Sequence, residues 1–179
     1  MRLVRFTLVF SVIAAAIGRM AHAQARPKAP WAFEPESTTP ISVPADIRRA
    51  VGFDLEYEEA EPINGVAVDL NGDDLKDYLL RSAQSLCGTG GCMYVLCDGA
   101  SRRKLGEFFG SPLVVRAERV HGYPNIVTYS HQSPDSGIYT QYSFDGSVYV
   151  VTSKQALEGA AVGRLFETLR RIPVWRPRP

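Results

Sequence analysis

Between residues 92 and 152 one theme repeats: runs of β-branched and aromatic residues, each of ordinary strand length and separated by Gly, Asn, Asp or Pro. The runs cover residues 92–97, 104–109, 113–118, 125–131, 137–144 and 148–152. Upstream, residues 65–70 and 78–82 read in the same way. The expected fold is α+β. It is mainly an antiparallel, meander-like sheet of about six to eight strands, with a short N-terminal helix and a C-terminal packing helix.

The helices have their own signals. Residues 44–51 carry Pro44 at a first turn, Asp46 near the positive end and Gly52 as a stop, with Ile47 and Val51 on one face. Residues 152–172 read as the closing helix. Thr152 and Gln155 fit a capping box, Val162, Leu165, Phe166, Leu169 and Ile172 recur at helical spacing, and Pro173 ends the pattern. Asp145-Gly146 is the clearest hairpin signal. A two-residue turn there sets Tyr142 opposite Tyr149 and Thr140 opposite Val151. Tyr139, Tyr142 and Tyr149 then supply a half-buried sheet face rather than a binding surface.

The N-terminus reads as a secretory signal over residues 1–23. Arg2 and Arg5 are followed by an apolar run at residues 8–17 and an Ala21-His22-Ala23 cleavage site. The run is too short to span a bilayer, which takes about 20 residues. Export to a periplasmic or extracellular compartment is therefore expected, with no integral span after cleavage. Residues 24–43, rich in Pro and Ala, read as a flexible spacer. A single globular domain follows at 44–175, and 176–179 form a tail. Residues 56–61 are acidic and read as a solvated loop or edge strand.

Charge narrows the partners. The chain has 20 Lys plus Arg against 19 Asp plus Glu, and removing the signal, with its three Arg and no acid, leaves 17 against 19, a net −2. That gives no electrostatic case for nucleic acid. The Arg-rich end at 170–179 suits a helix terminus and a frayed tail.

Residues 69–77, DLNGDDLKD, place oxygen-bearing side chains at alternate positions: Asp69, Asn71, Asp73 and then Asp77. Calcium takes six to eight oxygens at about 2.3–2.6 Å, and a loop supplies them by turning every second side chain inward. Leu75 can offer its backbone carbonyl. Gly72 is free to take positive φ, and Asp74 is one of the few other residue types that visits that region. The alternative is an Asp/Asn-rich turn held by side-chain-to-backbone bonds with no metal.

These residues resemble the first nine positions of an EF-hand loop, and more closely the calcium loops of dockerins and of FG-GAP or VCBS-type extracellular repeats. The resemblance implies Ca2+ ligation by Asp69, Asn71, Asp73, the Leu75 carbonyl and Asp77. It covers nine of 179 residues, in one copy, and Leu80 stands where an EF-hand carries its bidentate Glu. One copy argues against a propeller, which needs several blades.

Cys87-Gly-Thr-Gly-Gly-Cys92 is the second informative motif. In an oxidising compartment a disulfide is the default, and three glycines let so short a ring close. Cys92 and Cys97 lie an odd number of residues apart in one expected strand, so they face opposite sides. The expected pairing is Cys87 with Cys92, leaving Cys97 as a buried small hydrophobe. A zinc site needs more ligands at matching spacing, and a phosphate cradle needs a following helix and Lys. The order of acidic loop, glycine-rich cysteine ring and later FDG hairpin is also similar in layout to small periplasmic proteins of Gram-negative bacteria, which implies no activity.

For catalysis, Ser130-His131 with Asp135 nearby is the one tempting group, but adjacency in sequence is not triad geometry. Paired carboxylates for glycoside hydrolysis have only residues 56–61 to draw on. The leading expectation is an exported, calcium-holding domain, non-catalytic, that binds an envelope or extracellular molecule or supports the envelope. A periplasmic hydrolase acting on an envelope polymer is the second reading. A structural or inhibitory envelope protein without metal is the third.

Overall fold

A computed structural model describes residues 29–35, 38–51 and 63–176. The expected signal segment and the acidic stretch at 56–61 lie outside those residues.

Among the described residues, ten strands form two five-stranded sheets. The first contains β1 (Trp31–Phe33), β7 (Leu113–Val120), β8 (Tyr123–Ser133), β9 (Ser136–Phe144) and β10 (Tyr149–Glu158), hydrogen-bonded in that order. The second contains β2 (Thr39–Pro40), β3 (Asn64–Val68), β4 (Asp77–Arg81), β5 (Cys92–Cys97) and β6 (Lys104–Gly110). All named pairings are antiparallel. Each sheet is thus a four-strand meander with a short N-terminal strand added at one edge. The α+β class holds. The single sheet of six to eight strands is corrected to two sheets and ten strands.

Burial explains the division. Facing side chains from both sheets build one core: Leu79, Tyr94, Leu96 and Phe108 from the second, Phe33, Leu113, Ile126 and Tyr142 from the first. The alternate residues of the same strands are buried too. Leu80, Val95 and Cys97 pack under α1 (Ala45–Val51) with Ile47 and Val51. Val114 and Val127 pack under α2 (Ala160–Leu169), against Leu165, Phe166 and Leu169. The molecule is therefore four layers, helix on sheet on sheet on helix. Strands buried on both faces lose polar alternation, which is why β5 reads CMYVLC.

Three local expectations are corrected. Trp31–Phe33, assigned to the spacer, form β1: Trp31 and Ala32 are 3% exposed and Phe33 is fully buried. Ala32 exchanges bonds with the chain's C-terminal end, its N–H donating to the Pro173 carbonyl and its carbonyl accepting from Trp175. The closing helix does not begin at Thr152. The strand runs on to Glu158, α2 starts at Ala160 after Gly159 at φ 51°, and Thr152 and Gln155 make no capping box. Five β-branched or aromatic residues in a row at 148–152 favour strand over helix.

At the Asp145-Gly146 hairpin the turn spans four residues rather than two. Tyr149 pairs with Phe144 and Val151 with Tyr142, and a bulge near Thr152 puts Lys154 opposite Thr140. Asp145 sets this length, since its carboxylate accepts the Ser147 and Val148 N–H groups at 2.8 and 2.9 Å. Tyr142 and Tyr149 are buried against Phe108, and Tyr139 sits partly buried beneath α2.

Candidate functional site

The acidic loop joins β3 to β4 at one end of the second sheet. Its side-chain oxygens organise its own backbone. Asp69 accepts the Gly72 N–H at 2.5 Å and the Asp74 N–H at 3.2 Å. Asn71 accepts the Asp73 N–H at 3.0 Å, and Asp73 accepts the Leu75 N–H at 2.8 Å. Asp74 takes φ 67° and Gly72 φ 96°, so the two residues expected in the left-handed region are there. Asp69 and Asn71 are half-buried, while Asp73 and Asp74 are exposed.

Asp77 is different. It is 1% exposed and points into the molecule. Its carboxylate accepts the Leu70 N–H at 2.8 Å and the Gly99 N–H at 3.0 Å. Beside it, Tyr123 on β8 donates to Asp98 at 2.7 Å and lies 3.4 Å from Asp77, while Asn71 donates to the Tyr123 oxygen at 2.9 Å. Arg119 donates to the carbonyls of Leu70 and Gly122, tying the loop to the turn between β7 and β8. One phenol and one guanidinium from the first sheet thus hold the loop of the second.

The electrostatics of this cluster follow from burial. Burial pushes the Asp77 carboxyl up to about 7, opposed by the Gly99 and Leu70 N–H bonds, with the Asp98 and Asp73 charges adding to the rise. Burial alone would also raise Asp98, but hydrogen bonds from Ser101 and Tyr123 outweigh it and hold that carboxyl below its usual range. The Tyr123 hydroxyl is pushed up by burial and by its bond to Asp98. Two carboxylates around one phenol are therefore not equivalent: Asp98 is the ionised partner.

The donors are of the hard, oxygen type calcium takes. Asp69, Asn71 and Asp73 follow one another round the turn, and a carboxylate with about four lone-pair sites keeps some after accepting two N–H bonds. Among the described residues, however, no group of three or more His, Cys, Asp and Glu stands close enough together to hold a metal. Tyr123, Asp98 and Arg119 were not legible as members of this cluster. They come from β7, β8 and a tight turn some 20 to 50 residues downstream, and only Asp98-Gly99 at the end of an apolar run carries a local turn signal.

The cysteine ring closes as expected. Cys87 and Cys92 form a disulfide, with their Cα atoms 4.3 Å apart. Gly91 takes φ 117°, and a Cβ there would sit 2.2 Å from the Gly110 carbonyl carbon, so only glycine lets the ring lie against the end of β6. Cys92 faces the core between the sheets and Cys97 the layer under α1. Cys97 is fully buried, and burial pushes its thiol up to about 11. Alkylation of the native protein at neutral pH should label no cysteine, and alkylation after denaturation without reductant should label Cys97 alone. A labelled Cys87 or Cys92 would undo the pairing.

An open groove of about 470 Å³ runs beside this ring, lined among others by Glu34, Cys87, Ser111, His131 and Phe166. His131 stacks on Phe166 at 5.5 Å and meets Tyr129 edge-on, with its Nδ1 3.5 Å from the Tyr129 hydroxyl. The tempting triad is not assembled. Asp135 accepts from Ser133 at 2.8 Å, not from His131, and Ser130 as the next strand residue points to the other face. No helix of the described residues is long and apolar enough to cross a membrane. No protein-family model matches the chain, and neither a curated protein nor a solved structure is detectably similar to it.

Proposed function

We propose that the protein is an exported, non-catalytic domain of the cell envelope whose loop at residues 69–77 takes calcium as a structural ion, with Asp69, Asn71, Asp73, the Leu75 carbonyl and Asp77 as ligands. One observation carries the reading. The loop backbone has both left-handed residues of a cation-wrapping turn, Gly72 and Asp74, with three oxygen-bearing side chains at alternate positions around it. The disulfide suits an oxidising compartment. The separation of Ser130, His131 and Asp135 supports the non-catalytic half.

Calcium binding only the native state stabilises it by RT ln(1 + [L]/Kd), and extracellular calcium modules have Kd near 10⁻⁴–10⁻³ M. Leu80 in place of a bidentate Glu puts this loop toward the weak end. Millimolar calcium should then add about 1 kcal/mol and raise the melting temperature by a few degrees. Asp73→Ala should remove that shift, and magnesium should reproduce it poorly, since it demands a tighter octahedron. A melting curve indifferent to calcium and chelator returns the loop to a plain Asp/Asn turn.

The hydrolase reading keeps one supporting observation, His131 and Glu34 on the same groove. Turnover of an envelope polymer that His131→Ala abolishes would establish it over the binder.

A further inference from the structure

The chain holds three asparagines, and two of them, Asn64 and Asn71, precede glycine. Asparagine is thermolabile, because the backbone nitrogen of the next residue can attack its side-chain amide carbon. Glycine in that position removes the Cβ that would crowd the approach. The fold separates the two pairs. Asn64 and Gly65 lie inside β3, opposite Pro40 and Thr39 of β2, and Gly65 also pairs with Leu80 of β4. Gly65 is buried, and a Cβ there would stand 2.5 Å from the Leu79 carbonyl oxygen, so a ring closes only if the sheet opens. Asn125, the third, is followed within β8 by the fully buried Ile126. Asn71 and Gly72 are half-buried in the turn at residues 69–77.

The groups that such an attack needs surround Asn71. The Gly72 N–H donates to the Asp69 carboxylate at 2.5 Å, which places a proton acceptor on the attacking nitrogen. The Asp73 N–H donates to Asn71 Oδ1 at 3.0 Å, where negative charge develops as the amide carbon becomes tetrahedral. The amide has one orientation. Its Nδ2 donates to the Tyr123 oxygen at 2.9 Å and to the Asp73 carboxylate at 3.1 Å. Both partners accept, since Tyr123 gives its own hydrogen to Asp98.

We propose that Asn71 is a site of self-modification, where the folded loop speeds closure of the Asn71 side chain onto the Gly72 nitrogen and its conversion to aspartate and isoaspartate. In the first step the Gly72 nitrogen bonds to Asn71 Cγ and gives its proton to Asp69. Charge gathers on Oδ1, facing the Asp73 N–H. The Cγ–Nδ2 bond then breaks, and Nδ2 takes the proton from Asp69 and leaves as ammonia. In the second step water adds to either carbonyl of the succinimide ring and opens it to aspartate or isoaspartate. The product carboxylate has no hydrogen for the Tyr123 oxygen, so the change cuts one tie between the loop and the first sheet. No ion takes part, so the inference stands apart from the calcium reading.

Native protein and protein unfolded in guanidinium chloride are incubated side by side in chelator at neutral pH. Peptide mass mapping and isoaspartate labelling then follow residues 64 and 71 separately. In the unfolded chain the two Asn-Gly pairs should react at similar rates. In the native protein Asn71 should react at least ~10-fold faster than it does unfolded, from positioning and proton acceptance together, while Asn64 should slow. Asp69→Asn keeps an acceptor for the Gly72 N–H but no base. It should remove the native-state acceleration and leave the unfolded rate unchanged. A native Asn71 that reacts no faster than the unfolded one overturns the inference, and so does a native rate indifferent to Asp69→Asn.

Discussion

Phe33→Ala should cost about 3–5 kcal/mol of folding stability, the range for removing a buried phenyl ring from a packed core. Phe33 is fully buried on a strand of three residues, meets Tyr94 edge-on at 5.7 Å, and shares the inter-sheet core with Leu113. Domains are stable by only 5–15 kcal/mol, so the variant should unfold at a clearly lower urea midpoint with an unchanged slope. Trp31, its ring 5.4 Å from that of Trp175 and tilted by 43°, makes the same point at the C-terminal end. A change within about 0.5 kcal/mol, the ordinary scale for a surface site, would mean that residues 31–33 are the spacer their composition suggests, and that β1 contributes nothing to the core.

That contrast marks where sequence reading stopped. Trp31-Ala32-Phe33 lies among prolines and carries no alternation, because all three residues are buried and their partners are Val115, Val114 and Leu113, at least 80 residues away. Nothing local could reveal the pairing. The strands from Cys92 to Phe144 were legible because turn residues separate their β-branched and aromatic runs. β5 has the bounds read from its residues. The count of sheets was not legible. A strand buried on both faces reads alike whether its second face meets a helix or another sheet.

Turn chemistry was legible at two sites and misleading at a third. Asp74 takes the left-handed conformation expected of it. The CGTGGC ring closes because its two cysteines are brought together by glycines that tolerate the close approach of Gly110. At Asp145-Gly146 the dipeptide located the hairpin, but the Asp145 carboxylate, bonded to two backbone N–H groups, lengthened the turn and moved the cross-strand pairs by two residues, and by three beyond the bulge near Thr152. At Thr152 a capping pattern met a strand-forming run, and the run prevailed because β9 gives it a full hydrogen-bonding partner. Of the candidate site, the exposed half was legible in the alternation of Asp69, Asn71 and Asp73. The buried half, Tyr123 with Asp98 and Asp77, depends on the first sheet folding over the second.

Tyr123→Phe tests that buried half with the ring's packing against Phe144 and Tyr149 retained. The lost hydroxyl donates to Asp98 at 2.7 Å and receives the Asn71 amide at 2.9 Å. A hydrogen bond to a charged group is worth about 1.5–3 kcal/mol, and the variant should lose that much at neutral pH. The loss should depend on pH with a definite sign. The folded Asp98 carboxyl is held below its unfolded value of 3.8 by bonds that outweigh burial, Tyr123 among them. Such a group contributes stability that is present above the unfolded pKa and is lost as pH falls through the folded one. Without the phenol hydroxyl that depression shrinks, so the gap between wild type and variant should be widest at neutral pH and close as the solution is acidified below about 3.8. Urea midpoints of both proteins at several pH values measure it. A gap that stays constant with pH would mean that Tyr123 acts through packing and not through the carboxylate. No gap at neutral pH would mean that the loop at residues 69–77 stands without its anchor.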